Sequence, residues 1–131
     1  PLFTTEEMLF NRAEAHVMMG NMDAALVDLN RYVSKRILNY NPTTHQVTRA
    51  KARAYFGGNS DQAALISTIL SFKRVEFLQE GMRWFDMQRH GISVTHKTIS
   101  GSSIDVPATD PRRVLQIPQL ALISGIEKNP R

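Results

Sequence analysis

The sequence predicts a mainly α-helical protein with a helical hairpin at its start, a long central helix and a short irregular or β-structured C-terminal region. Three observations support this prediction. Apolar residues recur at steps of three and four within residues 1–38, and again within residues 59–91. After Gly91 the apolar period changes to two. A chain of 131 residues, 42% of them hydrophobic, can bury the core of one domain, so we expect residues 1–131 to form a single domain.

Residues 1–38 predict two antiparallel helices. Thr4 or Thr5 can cap the first helix, and Gly20-Asn21 ends it. Its expected apolar positions are Met8, Leu9, Ala15, Met18 and Met19. A second helix begins near Met22-Asp23, with apolar positions at Ala25, Leu26, Leu29, Val33 and Ile37. The small residues at the contact and the Gly at the turn resemble one tetratricopeptide unit. A single unit is rarely stable, so we expect it to pack on the helix that begins near Asp61 or on a segment outside this chain.

The middle of the chain predicts a turn, a short helix and a long helix. Asn39 to Thr44 is a turn around Pro42, and Thr48 to Phe56 is a short helix ended by two glycines. Asn59 or Ser60 then caps a helix that runs to about His90. Gly81 lies inside this helix, where glycine costs about 1 kcal/mol, and it indicates the close approach of another backbone.

The stretch Phe72–Gly91 predicts that this central helix is enclosed on most sides. On an ideal helix its apolar residues cover a broad arc that includes Leu70, Phe77, Leu78, Met82, Trp84 and Phe85, with Val75 and Met87 at the edges. Arg74 and Gln88 project into this arc. We therefore expect Arg74 to be buried against a carboxylate or several carbonyl groups.

Residues 92–131 predict loops, short strands and a tail. Ile92, Val94 and His96 alternate with polar residues, and Ile104–Pro107 can pair back as a weak hairpin. Asp110-Pro111 indicates a turn. We expect Arg113–Pro118 to be extended and Gln119–Ile126 to form a last short helix, after which residues 128–131 trail off.

Composition excludes several classes of function. The net charge of +4 is spread over interspersed acidic and basic residues, which favours a solvated mixed surface over nucleic-acid binding. The absence of cysteine excludes disulfides and thiolate chemistry. No apolar run approaches the roughly 20 residues that a membrane-spanning helix needs. Because the chain opens with Pro1 rather than Met, we expect it to be a piece of a longer protein.

Candidate catalytic and metal-binding residues have simpler structural interpretations. Glu76 and Glu80 lie one helical turn apart and could form an acid–base pair. Each has a cation within helical reach, Lys73 or Arg83, so we interpret them as ion-paired. The four histidines, His16, His45, His90 and His96, lack metal-ligand spacing. There is no phosphate-binding loop or hydrolase serine motif. We therefore predict no catalytic residue, no metal and no cofactor.

Two aromatic positions are candidates for sugar stacking. Tyr55-Phe56 stands beside Gly57-Gly58-Asn59, and Tyr40 stands among asparagines. Flat aromatic faces flanked by amides suit sugar rings. The alternative is that both sites are partly buried aromatics under a loop, and this alternative is favoured.

Three segments, in order, resemble one protein family. They are RAEAHVMMGNMDAALVDLNRYVSKRI, RVEFLQEGMRWFDMQRHG and LQIPQLALISGIEKNP. The second is similar to the signature Arg-x-Glu-(Leu/Phe)-x-x-Glu-Gly-x-Arg-x-(Phe/Trp)-Asp-(Leu/Met)-x-Arg-x-Gly, and the third to a terminal Ile-Pro-Gln followed by Asn-Pro. Together they resemble the C-terminal part of the SusD/RagB family, outer-membrane lipoproteins of Bacteroidetes that capture nutrients. The third segment departs from the family pattern at Ala121, where an acidic residue is usual.

The resemblance implies a function. It implies a non-enzymatic, surface-exposed subunit that binds starch or another oligosaccharide and partners a SusC-like TonB-dependent transporter in the outer membrane. The lipid anchor would lie in an upstream part of the parent protein. The signature residues would form a structural ion-pair network, namely Arg74, Glu76, Glu80, Arg83, Asp86 and Arg89. Ligand contacts follow no family motif, so ligand-binding residues are unassigned. The alternative function is a tetratricopeptide-type adaptor that binds a protein or peptide.

Overall fold

The structure, a computed structural model, describes residues 4–129. Over this range it contains seven α-helices, one short 3-10 helix and a two-stranded antiparallel sheet. The predicted mainly α-helical class is therefore confirmed. The chain divides into two compact units, Pro1–Met82 and Arg83–Arg131. The expectation of a single domain remains a prediction. Of the tail predicted for residues 128–131, residues 130 and 131 lie outside the described residues, including the final Pro130 of the third family-like segment.

The first unit begins with the predicted helical hairpin. Helix α1 spans Thr5–Met18, and helix α2 spans Met22–Arg36. The Thr4 hydroxyl caps α1 by accepting a 3.1 Å hydrogen bond from the backbone N–H of Glu7. Gly20, with φ of 82°, supplies the left-handed residue that ends the helix. These local signals explain why the bounds of the hairpin follow from the sequence.

The buried face of α1 differs from the expected one. Of the expected positions Leu9 is buried, but Met8, Ala15, Met18 and Met19 are exposed. Phe10, Ala13 and Val17 are almost fully buried instead. In α2 the expected positions Ala25, Leu29 and Val33 are buried. Both sets in α1 have helical spacing, so periodicity alone does not identify the core-facing stripe. The packing partners determine which stripe is buried. Ala13 and Ala25 permit close contact between α1 and α2, and helix α5 (Asp61–Glu76) packs on both.

Three further helices complete the first unit. Pro42–His45 forms α3, a single turn capped by Asn41 where the sequence predicts only a turn. Helix α4 spans Arg49–Phe56 and ends at Gly57, as predicted. Helix α5 spans Asp61–Glu76, and its N-cap is Ser60. The largest fully buried side chains of this unit include Phe10, Leu29, Leu65 and Ile69, which place the core between the hairpin and α5.

The long helix predicted for residues 59–91 is interrupted. Helix α5 ends at Glu76, and helix α6 spans Met82–Arg89. Gln79 and Gly81 both have left-handed backbone angles, with φ of 68° and 78°. A right-handed helix cannot pass through two such residues. A Cβ at Gly81 would meet nothing within 4 Å, so the predicted close approach of another backbone is wrong, and this glycine is a helix breaker.

The interruption also overturns the prediction of an enclosed helix. Val75, Leu78 and Phe85 are mostly exposed, because the break separates positions that an unbroken helix would align. Arg74 and Gln88 are exposed as well, so the expected burial of Arg74 is wrong. Lys73 is the buried cation of this stretch, and its Nζ donates to Asn11 Oδ1 at 3.4 Å.

The second unit contains most of α6, a hairpin and a short helical turn. Strand β1 (Val94–Lys97) pairs antiparallel with strand β2 (Ser103–Val106), so that Val94 faces Val106. This confirms the predicted hairpin. A 3-10 helix spans Pro111–Arg113, and α7 spans Gln119–Leu122, shorter than the helix predicted for residues 119–126.

Candidate functional site

The candidate site is a cleft of about 300 Å³ in the first unit. Its walls are the α3 turn with the segment that follows it, helix α4, and one face of α5. The size lies at the lower end of the range typical of small-molecule sites. The lining residues are Thr44, His45, Gln46, Val47, Lys51, Ala52, Tyr55, Phe56, Thr68, Ser71 and Phe72.

The C-terminal turn of α4 places an aromatic pair at the edge of the cleft. Tyr55 is 81% exposed and Phe56 is 39% exposed, and their rings meet edge to face with centroids 4.8 Å apart. Helix α4 buries only Ala52, so its last turn is left at the surface. The favoured sequence interpretation, a partly buried pair under a loop, is therefore wrong for Tyr55. An exposed ring held by a neighbouring ring presents a flat face to a ligand.

The second aromatic candidate, Tyr40, lies in a different environment. Its side chain is half-buried and packs against the core of the first unit. Its ring centroid lies 5.9 Å from that of His45. Here the alternative of a partly buried aromatic is confirmed.

One wall of the cleft is held by hydrogen bonds from two side chains. The Asn30 amide of α2 bonds both backbone groups of Val47: Oδ1 accepts from its N–H at 2.8 Å and Nδ2 donates to its carbonyl at 3.0 Å. Lys51 Nζ donates to the carbonyls of Thr44 and Gln46 at 2.7 and 2.8 Å. These bonds fix the segment before α4, so the cleft is largely pre-formed.

The floor of the cleft comes from α5. The Thr68 hydroxyl donates to the carbonyl of Ala64 at 2.9 Å. Phe72 lines the cleft and also packs on Tyr32, with ring centroids 5.6 Å apart. The sequence indicated the aromatic pair but not Phe72, Thr68 or Asn30 as parts of the same site. A mid-helix asparagine on a half-buried face was the available signal, because such an amide needs a partner.

The predicted ion-pair residues are only partly brought together. Glu76 accepts hydrogen bonds from the Tyr32 hydroxyl and pairs with Arg36, and Asp86 pairs with Arg89 at 3.3 Å. Arg74 and Glu80 are exposed, and Arg83 is half-buried. The network of all six residues therefore stays a prediction. In the part of the chain that the structure describes, no group of three or more His, Cys, Asp or Glu residues could hold a metal ion.

Among residues 4–129, none of the helices combines the length and apolar character that crossing a bilayer requires.

Fold and site together define a mainly helical protein with a tetratricopeptide-like hairpin and a surface cleft edged by an exposed tyrosine. The chain belongs to the SusD family, whose model matches residues 2–113. That span contains the first two family-like segments, whereas the third, from Leu115, lies beyond it. No curated protein and no solved structure matches the chain. The SusD family is a non-enzymatic, outer-membrane-associated family of nutrient-binding proteins.

Proposed function

We propose that the chain is part of a cell-surface glycan-binding subunit of a TonB-dependent nutrient uptake complex. Its ligand would be starch or another oligosaccharide, and its partner a SusC-like transporter. A lipid on an upstream segment would anchor the subunit to the outer membrane. Membership of the SusD family supports each of these points at the level of the family.

The observation that carries this proposal is the exposed Tyr55 ring at the edge of the cleft. A sugar ring presents axial C–H groups that stack on such a face, while its hydroxyls seek hydrogen-bond partners. The cleft offers the polar side chains of Thr44, Gln46 and Ser71 for those hydroxyls. Stacking and amide hydrogen bonds together would hold a glycan until it passes to the transporter.

The chemistry of the lining supports binding rather than cleavage. Glycoside hydrolysis generally uses two carboxylates on opposite sides of the scissile bond. The cleft instead offers an imidazole, an ammonium group and hydroxyls, from His45, Lys51 and Ser71. The ammonium of Lys51 is already bonded to two backbone carbonyls. We therefore propose a non-enzymatic role.

Calorimetry of the full chain with maltoheptaose and a panel of neutral oligosaccharides tests the proposal. We expect Tyr55→Ala to lower the affinity for at least one glycan by about 3- to 10-fold, the effect of losing one stacking contact. Phe85→Ala is the matched control, because it removes an exposed ring that does not line the cleft. Equal glycan affinity of Tyr55→Ala and the unaltered chain would sink the proposed site.

A protein- or peptide-binding adaptor remains the second candidate. The exposed apolar side chains Met18, Met19 and Val27 on the helical hairpin favour it, because such residues can pack on a partner. This candidate predicts that the chain binds an apolar peptide and no glycan. Weakened peptide binding by Met18→Ser and Val27→Ser would support it over the glycan proposal.

A further inference from the structure

The second unit contains a larger pocket, of about 420 Å³, that the proposed function does not use. Trp84 and Met87 of α6 form one wall, and Val94, His96 and Val106 of the hairpin form another. Arg112 and Arg113 of the 3-10 helix complete it. The pocket therefore combines an aromatic ring, apolar side chains and two guanidinium groups.

Arg113 is unusual because it is buried while three of its five N–H donors, those on Nε and Nη2, are unused. The residue is only 4% exposed. Its Nη1 donates to the carbonyls of Ile92 and Pro107 at 2.8 and 3.3 Å, which anchors the side chain. Its Nε and Nη2 are buried and have no hydrogen-bond partner among the described residues. Leaving buried donors of a charged group without hydrogen bonds costs free energy. An acceptor that binds this edge of the guanidinium would remove that cost.

The unused edge of Arg113 is the edge that binds carboxylates elsewhere in this chain. Arg12 uses Nε and Nη2 to hold both oxygens of Asp28 at 2.8 and 2.7 Å. Arg36 presents the same two nitrogens to Glu76. Arg112 presents them to Asp110 at 2.9 and 2.6 Å. By geometry, the free edge of Arg113 matches a carboxylate that accepts two parallel hydrogen bonds.

The nearby carboxylate of Asp110 is already engaged. It holds the Arg112 guanidinium with both oxygens and also accepts from the backbone N–H of Arg112 at 2.9 Å. These bonds, chiefly those from the Arg112 side chain, lower the pKa of Asp110 to about 2, and the charge of Arg113 contributes less. The charge of Asp110 therefore offsets that of Arg112. The charge of Arg113 is left without a bonded carboxylate within the described part of the chain, so the pocket keeps a net positive charge.

Trp84 supplies a surface for the body of a ligand beside the guanidinium. Its ring centroid lies 6.0 Å from the guanidinium carbon of Arg113, and the residue is 37% exposed. An indole face stacks on the C–H groups of a sugar ring. His96, which also lines the pocket, offers an imidazole to a hydroxyl group.

We propose that this pocket binds the carboxylate of a uronic acid residue in an acidic glycan, with the sugar ring against Trp84 and the carboxylate on Nε and Nη2 of Arg113. The inference rests on the proposed glycan-binding function and adds a second, charge-selective site to it. Neither nitrogen contacts solvent, so binding requires the guanidinium or a side chain that covers it to rotate.

A ligand series on the full chain tests the carboxylate directly. The probes are a trimer of galacturonic acid, its fully methyl-esterified form and the neutral galactose trimer. We expect the acid to bind at least about 10-fold more tightly than the ester, because the ester keeps the ring but cannot accept two charge-assisted hydrogen bonds. Equal affinity of acid and ester would overturn the proposal. So would binding of a tripeptide through its free C-terminal carboxylate in preference to the acid trimer.

Protein variants locate the binding within the pocket. Arg113→Lys keeps the charge but loses the two-donor edge, and we expect an affinity loss of about 10-fold or more for the acid trimer. Arg31→Lys, the same substitution at an exposed arginine of α2 outside the pocket, is the matched control and should bind as the unaltered chain does. Because Arg113 also anchors two carbonyls, Trp84→Leu is a second variant that spares those bonds, with an expected loss of about 3- to 10-fold. Unchanged affinity in both pocket variants would overturn the assignment.

The two glycan-binding proposals can be refuted independently of each other. Tyr55→Ala should leave the acid trimer bound, and Trp84→Leu should leave neutral glycans bound. Loss of acid binding in Tyr55→Ala alone would place the acid in the first cleft and refute the second site. Neutral binding that persists while the acid trimer fails to bind would refute only the uronic acid site.

Discussion

The hydroxyl of Tyr32 in α2 donates a 2.8 Å hydrogen bond to Glu76 Oε2 in the last turn of α5. The same carboxylate pairs with Arg36, whose Nη2 also reaches Glu6 of α1 at 2.8 Å. A residue of the family signature thus joins three helices of the first unit. This arrangement supports the scaffold role implied for Glu76 by the resemblance.

Tyr32 makes the stability of the chain depend on pH in the alkaline range. Burial, and then the hydrogen bond to Glu76, raise the pKa of Tyr32 from 10.0 to about 12. A raised pKa stabilises the folded state fully below pH 10, and this contribution is lost as pH rises through about 12. We expect urea-unfolding free energies to fall more steeply between pH 10 and 12 for the unaltered chain than for Tyr32→Phe. Identical slopes would show that Tyr32 ionises equally in both states.

Arg12 and Asp28 are expected to respond unequally to mutation. Asp28 is buried, whereas Arg12 is half-exposed. Arg12→Met leaves a buried carboxylate without its cation, and we expect a loss of about 1–3 kcal/mol in unfolding free energy. Asp28→Asn leaves only a cation that water can solvate, so its effect should be smaller. Urea denaturation of both variants and of the double variant measures this, and a larger loss for Asp28→Asn would contradict the interpretation.

Gly81 is expected to matter through its backbone angle alone. A Cβ there has open space, but its φ of 78° disfavours an L-residue by about 1–2 kcal/mol. Gly81→Ala should therefore lower the unfolding free energy by about 1 kcal/mol, and Gly81→Asn by less, because asparagine tolerates left-handed angles. Thermal denaturation compares the two variants. If alanine proved neutral or stabilising, residues 77–81 would be helical after all.

Asp110 is expected to make the stability of the turn at residues 107–113 depend on pH in the acid range. The Arg112 side chain and backbone hold the pKa of Asp110 at about 2, below its ordinary 3.8. The associated stabilisation is complete above pH 3.8 and is lost as pH falls through about 2. Carboxyl-carbon NMR should show Asp110 titrating near pH 2, and Arg112→Met should move the midpoint towards 3.8. A midpoint that Arg112→Met does not move would exclude Arg112 as the cause.

The hairpin of α1 and α2 could be predicted because its signals are local. A capping threonine, a terminal glycine and alanines at the contact act within a few residues. The buried stripe of α1 could not be predicted, because the exposed methionines and the buried set Phe10, Ala13 and Val17 both have helical spacing, and only the packing partner selects between them. The break after Glu76 was missed because Gln79 adopts a left-handed angle that glutamine rarely takes.

The candidate cleft was predictable only at one edge. Tyr55-Phe56 stands out beside two glycines, but the floor residues Thr68 and Phe72 come from a different helix. Their approach depends on tertiary packing, which a local pattern does not encode. The hydrogen bonds of Arg113 could not be predicted either. Its acceptors are the backbone carbonyls of Ile92 and Pro107, and every residue has a carbonyl, so the side-chain sequence does not identify them.

The double hydrogen bond between Asn30 and the backbone of Val47 has a consequence for binding thermodynamics. It orders the segment before α4 during folding, so the proposed glycan ligand would not lose affinity by immobilising that segment when it binds. The entropic penalty of association would then fall mainly on the glycosidic torsions of the sugar and on the Tyr55 ring. Shorter or internally stiffened oligosaccharides should consequently lose less affinity per residue than flexible ones of the same composition.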